Sequence, residues 1–219
     1  MKSTTQIVKI IGITLLAGCA TSRAEDWRDG FYVHTDIGPA FTPNITAHVL
    51  QLGPFGWVRS KETFKSDPGI RGDLGVGYNL TKSFALEAEA GVIWETGPAE
   101  KEYFYQIPVM LNAVYRIQLS DSWKAYFGAG GGGVISKTYS LFRDPAFHSA
   151  FVYEDSDWSP GYQTEAGIQY APSRHVEIDL GYKFLAVDEY NYSLGPFSKL
   201  VRVNDLVTHS AQLSFTWKF

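Results

Sequence analysis

Eight stretches of this sequence alternate between apolar and polar side chains, and that period of two dictates β-strands. They are residues 30–41, 69–80, 84–94, 104–117, 123–134, 160–170, 175–185 and 205–219. In 84–94 one face is Phe84, Leu86, Ala88, Ala90, Val92 and Trp94, and the other carries Glu87 and Glu89. In 175–185 Val176, Ile178, Leu180, Tyr182 and Phe184 oppose His175, Glu177, Asp179, Gly181 and Lys183. Most stretches exceed the usual strand of about 5–6 residues and approach the ~9–11 tilted residues that cross a bilayer. Beyond residue 24 no run of apolar residues is long enough for a membrane-spanning helix.

Twelve charged residues lie on the polar faces: Asp36, Arg71, Asp73, Glu87, Glu89, Arg116, Lys124, Glu165, Glu177, Asp179, Lys183 and Lys218. The apolar faces hold none of these charged types, and His209 is the one histidine there. Two architectures alternate this way. A soluble sandwich or lipocalin-like barrel turns the apolar face inward. A membrane barrel turns it toward lipid, leaving charges to pair across the lumen.

The connections favour the membrane barrel. Three are short (81–83, 118–122 and 171–174), whereas the four others run to about 27, 9, 25 and 19 residues. Short turns at one end and long loops at the other are the pattern of outer membrane barrels. With eight strands both termini fall at the short-turn, periplasmic end. Aromatic residues mark both ends of the apolar face. Phe31, Tyr78, Phe84, Tyr115, Trp123, Tyr170, Trp217 and Phe219 lie near the short turns, and Phe41, Trp94, Tyr105, Tyr162 and Phe184 near the long loops. Rings with an apolar body and a polar tip favour the headgroup level of a bilayer. Open sheet edges have no water to bond in hydrocarbon, so the first and last strands must pair. Pro108 removes one donor in mid-strand, predicting a local bulge or a bond lost toward the lumen.

Gly75-Val76-Gly77-Tyr78, Gln106-Ile107-Pro108-Val109-Met110-Leu111-Asn112 and Tyr126-Phe127-Gly128-Ala129-Gly130 carry a family likeness. So does the last segment, in which Leu213, Phe215, Trp217 and Phe219 alternate to the end of the sequence. The chain resembles the small eight-stranded outer membrane barrels of the OmpA-transmembrane-domain and OmpX type, and more closely the outer membrane protein beta-barrel domain family, over residues 27–219. The resemblance implies an all-β, eight-stranded antiparallel transmembrane barrel, lodged in outer membrane lipid. It also implies recognition of the last strand by the barrel-assembly machinery, although Ser214 stands where that signal prefers glycine. With no segment following the last strand, the cell-wall tether of OmpA is not expected.

Residues 1–24 read as an export signal: Met1, Lys2 and Lys9 give a basic start, and Ile10 to Ala17 a short apolar core. Ser22-Arg23-Ala24 suits a general signal peptidase, leaving the barrel domain as 25–219. Leu16-Ala17-Gly18-Cys19 equally resembles a lipobox, with Cys19 taking lipid. Cys19 is the one cysteine, which excludes a disulfide framework and any multi-cysteine zinc site. A formal charge of −4 argues against nucleic acid as a partner.

Little catalytic chemistry is legible. Gly131 to Thr138 nearly matches a phosphate-binding loop but has Ser136 for its second glycine and no helical pattern after it. His209-Ser210 invites comparison with a lipid A deacylase, yet adjacent strand residues face opposite ways. Asp144, Glu154, Asp155 and Asp157 make the third long loop acidic without the regular spacing of a calcium loop. No cofactor, metal or catalytic residue is assigned. The expected lumen network is Arg71, Asp73, Glu87, Glu89, Arg116, Lys124, Glu165, Glu177, Asp179 and Lys183. The expected membrane-interface aromatics are Phe31, Trp94, Tyr105, Trp123, Tyr170, Trp217 and Phe219. Phe55, Trp57, Phe64, Phe142, Phe147, Phe151, Trp158, Tyr190, Tyr192 and Phe197 make the long loops the candidate site for an extracellular ligand. The sequence reads as a non-enzymatic structural or surface-interaction protein with a charge-plugged lumen. A narrow channel for small solutes comes second, a lipid-modifying barrel enzyme third and a soluble lipocalin-like binder last.

Overall fold

The structure, a computed structural model, describes residues 30–43, 45–53, 56–64, 67–96, 103–144, 149–194 and 199–219. The export signal and Cys19 lie outside the described residues. Ten strands run in chain order: β1 (Phe31–Phe41), β2 (Ile45–Gly53), β3 (Gly56–Phe64), β4 (Gly69–Asn79), β5 (Phe84–Thr96), β6 (Tyr103–Gln118), β7 (Trp123–Asp144), β8 (Ser149–Tyr170), β9 (Val176–Leu194) and β10 (Lys199–Lys218). Eight of them, β1 and β4 to β10, pair antiparallel in a ring that β1 and β10 close.

The register fixes the shape of the ring. Partners lead from Phe31 through Tyr78, Leu86, Ala113, Ala129, Thr164, Phe184 and His209 to Phe41, ten residues further along the same strand. That stagger tilts the strands by about 40° from the barrel axis. A barrel of eight strands is just wide enough for its own side chains to fill.

The faces are inverted relative to a soluble barrel. Ile37, Leu74, Val76, Leu86, Val92, Leu111, Ile168, Leu180 and Leu213 are exposed on the outer wall, while Arg71, Asp73, Glu89, Glu177 and Lys183 are buried. Phe31 and Phe41 begin and end the outward face of β1, which spans about 25 Å along the axis at 3.3 Å per residue and that tilt. A lipid-facing band has about that height. Tight inter-strand approach needs glycine in places. A Cβ at Gly132 would lie 2.0 Å from the Val109 carbonyl oxygen of the neighbouring strand.

Pro108 produces no bulge. Ala90 pairs with Val109 and Ile93 with Gln106 in one continuous register, so neither strand gains a residue between them. The pairing lapses there only toward β5, and Pro108 keeps its partner Val134 on β7. The missing bond lies within the wall rather than toward the lumen, because ladder bonds run in the plane of the sheet. Pro39 and Pro160 act alike, pairing with Ile70 and Gly133 on one side while the ladders toward β10 and β9 lapse or stop.

The long connections are mostly not loops. β7 and β8 stay paired out to Asp144 and Ser149, and β9 and β10 to Leu194 and Lys199. The first connection forms a hairpin, β2–β3, whose first strand pairs with β10 at Leu200 to Val203. The sequence pattern stops earlier because its alternation reflects contrast between two environments. Past the apolar band that contrast fades, and the ladder continues without alternating.

Candidate functional site

Alternation along β1 and β4 to β10 points every second side chain into the lumen, so the lumen is where polar groups from distant parts of the chain meet. Near the short turns Lys124 Nζ lies 2.6 Å from Glu177 Oε1, which Lys218 also contacts. Beside it Arg116 Nη2 bonds Glu87 Oε1 at 3.0 Å and the Tyr32 hydroxyl at 2.8 Å, while Nη1 donates to Asn79 at 2.9 Å. The Tyr32 hydroxyl itself donates to Glu87. Its ring lies across Gly77, where a Cβ would meet Tyr32 Cζ at 2.1 Å. Glycine here makes room for a large side chain on the adjacent strand.

The central layer is built on Arg71 and Lys183. Arg71, with 0% exposure, bonds Asp73 at 2.8 Å, Glu89 at 3.2 Å and Gln163 at 2.6 Å. Lys183 Nζ contacts Asp36 at 2.6 Å, Asp73 at 3.2 Å, Glu165 at 3.9 Å, and Glu89. Gln212 donates to Asp73 at 2.8 Å, and Gln163 to Glu89 at 3.2 Å. Buried charges remain ionised only with such compensation. All ten residues of the expected lumen network line the interior. Asp179 is the one that joins no ion pair among the described residues.

Several lumen residues stand outside the expected network, among them Tyr32, Gln163 and Gln212 and the ionisable His34 and Glu95. His34 is buried with Nδ1 3.4 Å from Asp36 Oδ1; a neutral imidazole carries no permanent charge to mark it as a lumen residue in the sequence. Glu95 lies one residue past the expected end of its strand and accepts from Thr42 Oγ1 at 2.8 Å. His34, Asp36 and Glu89 bring possible metal donors within 4.8 Å of one another. The Lys183 ammonium lies against both carboxylates of this group and serves as their cation.

Toward the long hairpins the lumen changes character. Ala40, Ile93, Met110, Val134, Leu185, Val187, Val203 and Leu206 form a cluster of buried apolar side chains, with Phe104 packed against it. Around it Gln106 donates to Thr208 at 3.4 Å, and Thr42 and Thr208 share a hydrogen bond of 2.8 Å. The collar's trace in the sequence is a set of short breaks in the alternation, which read as an extension of the lipid face. Val92-Ile93-Trp94, Val109-Met110-Leu111 and Phe184-Leu185-Ala186-Val187 place apolar residues on both faces.

The expected interface aromatics face outward at two levels: Phe31, Trp123, Tyr170, Trp217 and Phe219 at the short-turn end, Trp94 and Tyr105 at the other. Trp123 and Tyr170 pack with ring centroids 4.8 Å apart. His209 lies on the outer wall, bonded through Nδ1 to the Tyr182 hydroxyl, while Ser210 is buried inside. The wall therefore separates the two. Gly131 to Thr138 lies within β7, with no helix after it. Glu154, Asp155 and Asp157 belong to β8 and Asp144 ends β7, so the acidic stretch is a strand rather than a loop tip. The Asp157 carboxylate accepts the Asn191 backbone N–H at 2.9 Å, joining β8 to β9 beyond Pro160. Of the aromatics assigned to loops, Trp57 and Trp158 lie on strands and are exposed. Phe55, Phe147 and Phe197 lie outside the described residues.

The model of the outer membrane protein beta-barrel domain matches residues 11–219. The chain belongs to that family. It is thus an outer membrane β-barrel protein, with a closed ring of eight strands. None of the curated proteins matches it. Among solved structures it is similar to Neisserial surface protein A, with 17% identity and a TM-score of 0.55, covering 87% of this chain and 97% of that one. OprG of Pseudomonas aeruginosa aligns with 14% identity and a TM-score of 0.56, covering 90% and 100%. The protease OmpT of Escherichia coli aligns with 7% identity and a TM-score of 0.54, covering 91% and 100%. These likenesses share a fold, and one of the three is an enzyme, so fold alone leaves the role open.

Proposed function

We propose that this outer membrane barrel is a non-enzymatic envelope protein with a sealed lumen, whose long hairpins form a surface for an extracellular ligand. The observation that carries this reading is the filling of the lumen in two tiers, an ion-paired network beneath an apolar collar. The collar matters most to the seal, because an apolar constriction resists wetting even where polar layers beside it hold water. Against catalysis stand the separation of His209 from Ser210 and the pairing of most inward carboxylates with arginine or lysine. Both termini are assigned to the periplasm, with the aromatic levels seated at the two headgroup regions. The outward Leu213, Phe215 and Trp217 of β10 are assigned to recognition during assembly.

A narrow channel is the second reading, favoured by a polar cavity of about 30 Å³ in the short-turn half of the lumen. Planar-bilayer recording separates the two. The native protein is expected to give no steady conductance, and the double variant Leu185→Ser, Ile93→Ser to give discrete open steps. Steady conductance from the native protein would favour the channel.

A further inference from the structure

The β2–β3 hairpin leaves β3 at an open edge of the sheet. β2 pairs with β10 on one side and with β3 on the other, and β3 ends the strand order. Gly53 pairs with Gly56 across a two-residue connection. A hairpin this tight closes on a pair that exchanges both ladder bonds, and such pairs then alternate along the ladder. Gly56, Val58 and Ser60 therefore bond toward β2. The backbone N–H and C=O groups of Trp57, Arg59, Lys61 and Thr63 point the other way, where the described residues supply no strand.

The side chains of the same four residues add a second, independent feature. Spaced two apart, they share one face of the strand, and all four are exposed. Arg59 and Lys61 have no carboxylate partner among the described residues; on the neighbouring strands Glu189 is taken by Arg202 at 3.2 Å. β3 thus offers a line of unpaired backbone groups, two unpaired cations about 7 Å apart along it, and Trp57, 57% exposed, at the end nearest the turn. Such a line is a template for another strand. Backbone bonds hold an added strand, and the side chains opposite select it. Residues opposite each other in a ladder share a face, and opposite charges there are stabilising. A complementary strand carries two carboxylates with one residue between them, against Arg59 and Lys61, and an apolar side chain two positions further on, against Trp57. A second copy of β3 does not fit. Paired antiparallel about Arg59, Ser60 or Lys61, it would set cation against cation.

We propose that the outer edge of β3 is a docking site for an extended acidic segment of another protein, which adds to the sheet as a further strand. This names the class of ligand for the hairpin surface and rests on the reading of the hairpins as a binding surface.

The probe is the labelled peptide Val-Thr-Glu-Thr-Glu-Thr-Val, and its binding to the full barrel in zwitterionic detergent is followed by fluorescence anisotropy. Saturable binding that weakens with added salt is expected. The double variant Arg59→Gln, Lys61→Gln is expected to weaken it by about tenfold. Thr63→Pro removes one edge donor at a position where an edge strand tolerates proline, and is expected to weaken binding by about fivefold. The peptide with lysine in place of glutamate, and the acidic peptide N-methylated along its backbone, are expected not to bind. The heat-dependent gel mobility of each variant shows that the barrel still forms, and the N-methylated peptide keeps the test decisive where a variant fails to fold. Absence of binding by the acidic peptide, or equal binding by the variants that fold, would overturn the proposal. So would equal binding of the N-methylated peptide, because attraction between charges would then suffice. Association of barrels with one another in the absence of peptide, abolished by Thr63→Pro, would make a second copy the occupant and overturn it as well. Conductance is read in a separate assay. A failure here in a non-conducting barrel therefore strikes the peptide site and leaves the sealed-lumen reading standing.

Discussion

Replacing Lys183 by methionine is expected to destabilise the barrel by about 3–5 kcal/mol, the usual cost of removing one partner from a buried ion cluster. Methionine keeps the length of the side chain and deletes its charge. Asp36, Asp73, Glu89 and Glu165 would then repel one another at a site with little water. Arg71 would remain as the one cation touching Asp73 and Glu89. The measurement is the urea concentration at which the folded form is lost in detergent micelles. Adding Asp36→Asn and Glu89→Gln to the methionine variant is expected to recover part of the loss, because fewer like charges then face each other. A stability equal to that of the native protein would mean that water reaches the network freely.

Leu74→Arg is the second large effect. Leu74 is 66% exposed, and by the register it lies about midway between the two aromatic levels. On a soluble protein an exposed leucine tolerates arginine at a cost within about 0.5 kcal/mol. In a membrane barrel the same change at mid-bilayer costs about 2–4 kcal/mol. Val58→Arg on β3 provides the control. Val58 is also exposed, but it lies on the hairpin beyond the apolar band, and its substitution is expected to be near neutral. Folding titrations in lipid vesicles measure both. Equal costs at the two positions would contradict a lipid-facing wall.

The parts of this fold that were legible in the sequence are those in contact with lipid. Leu74, Val76 and Leu180 stand out because each is flanked by charge or glycine, and that contrast exists only where one face is apolar and the other polar. On β3 successive residues from Trp57 to Lys61 are exposed on both faces, so residues such as Arg59, Ser60 and Lys61 give no alternation to read. In the lumen, charge type revealed the lower network, and the structure added which residues pair: Lys183 with four carboxylates, and Asp179 with no cation among the described residues. The collar was hidden for a different reason. Ile93, Met110 and Leu185 are apolar residues at inward positions, and beside outward apolar neighbours they read as an extension of the lipid face. Pairing across the barrel joins residues far apart in the chain, and one sequence holds no signal for it.

The central claim is a closed barrel in the membrane with apolar residues outward. Its most direct test is the gel mobility of the protein from the outer membrane fraction, run in SDS with and without boiling. A ring without edges offers the detergent no unpaired strand to open from, so the unboiled protein is expected to run as a compact form that shifts only after heating. Identical mobility before and after boiling, with release of the protein by high salt or its recovery among soluble periplasmic proteins, would contradict the account and place the buried charges in water.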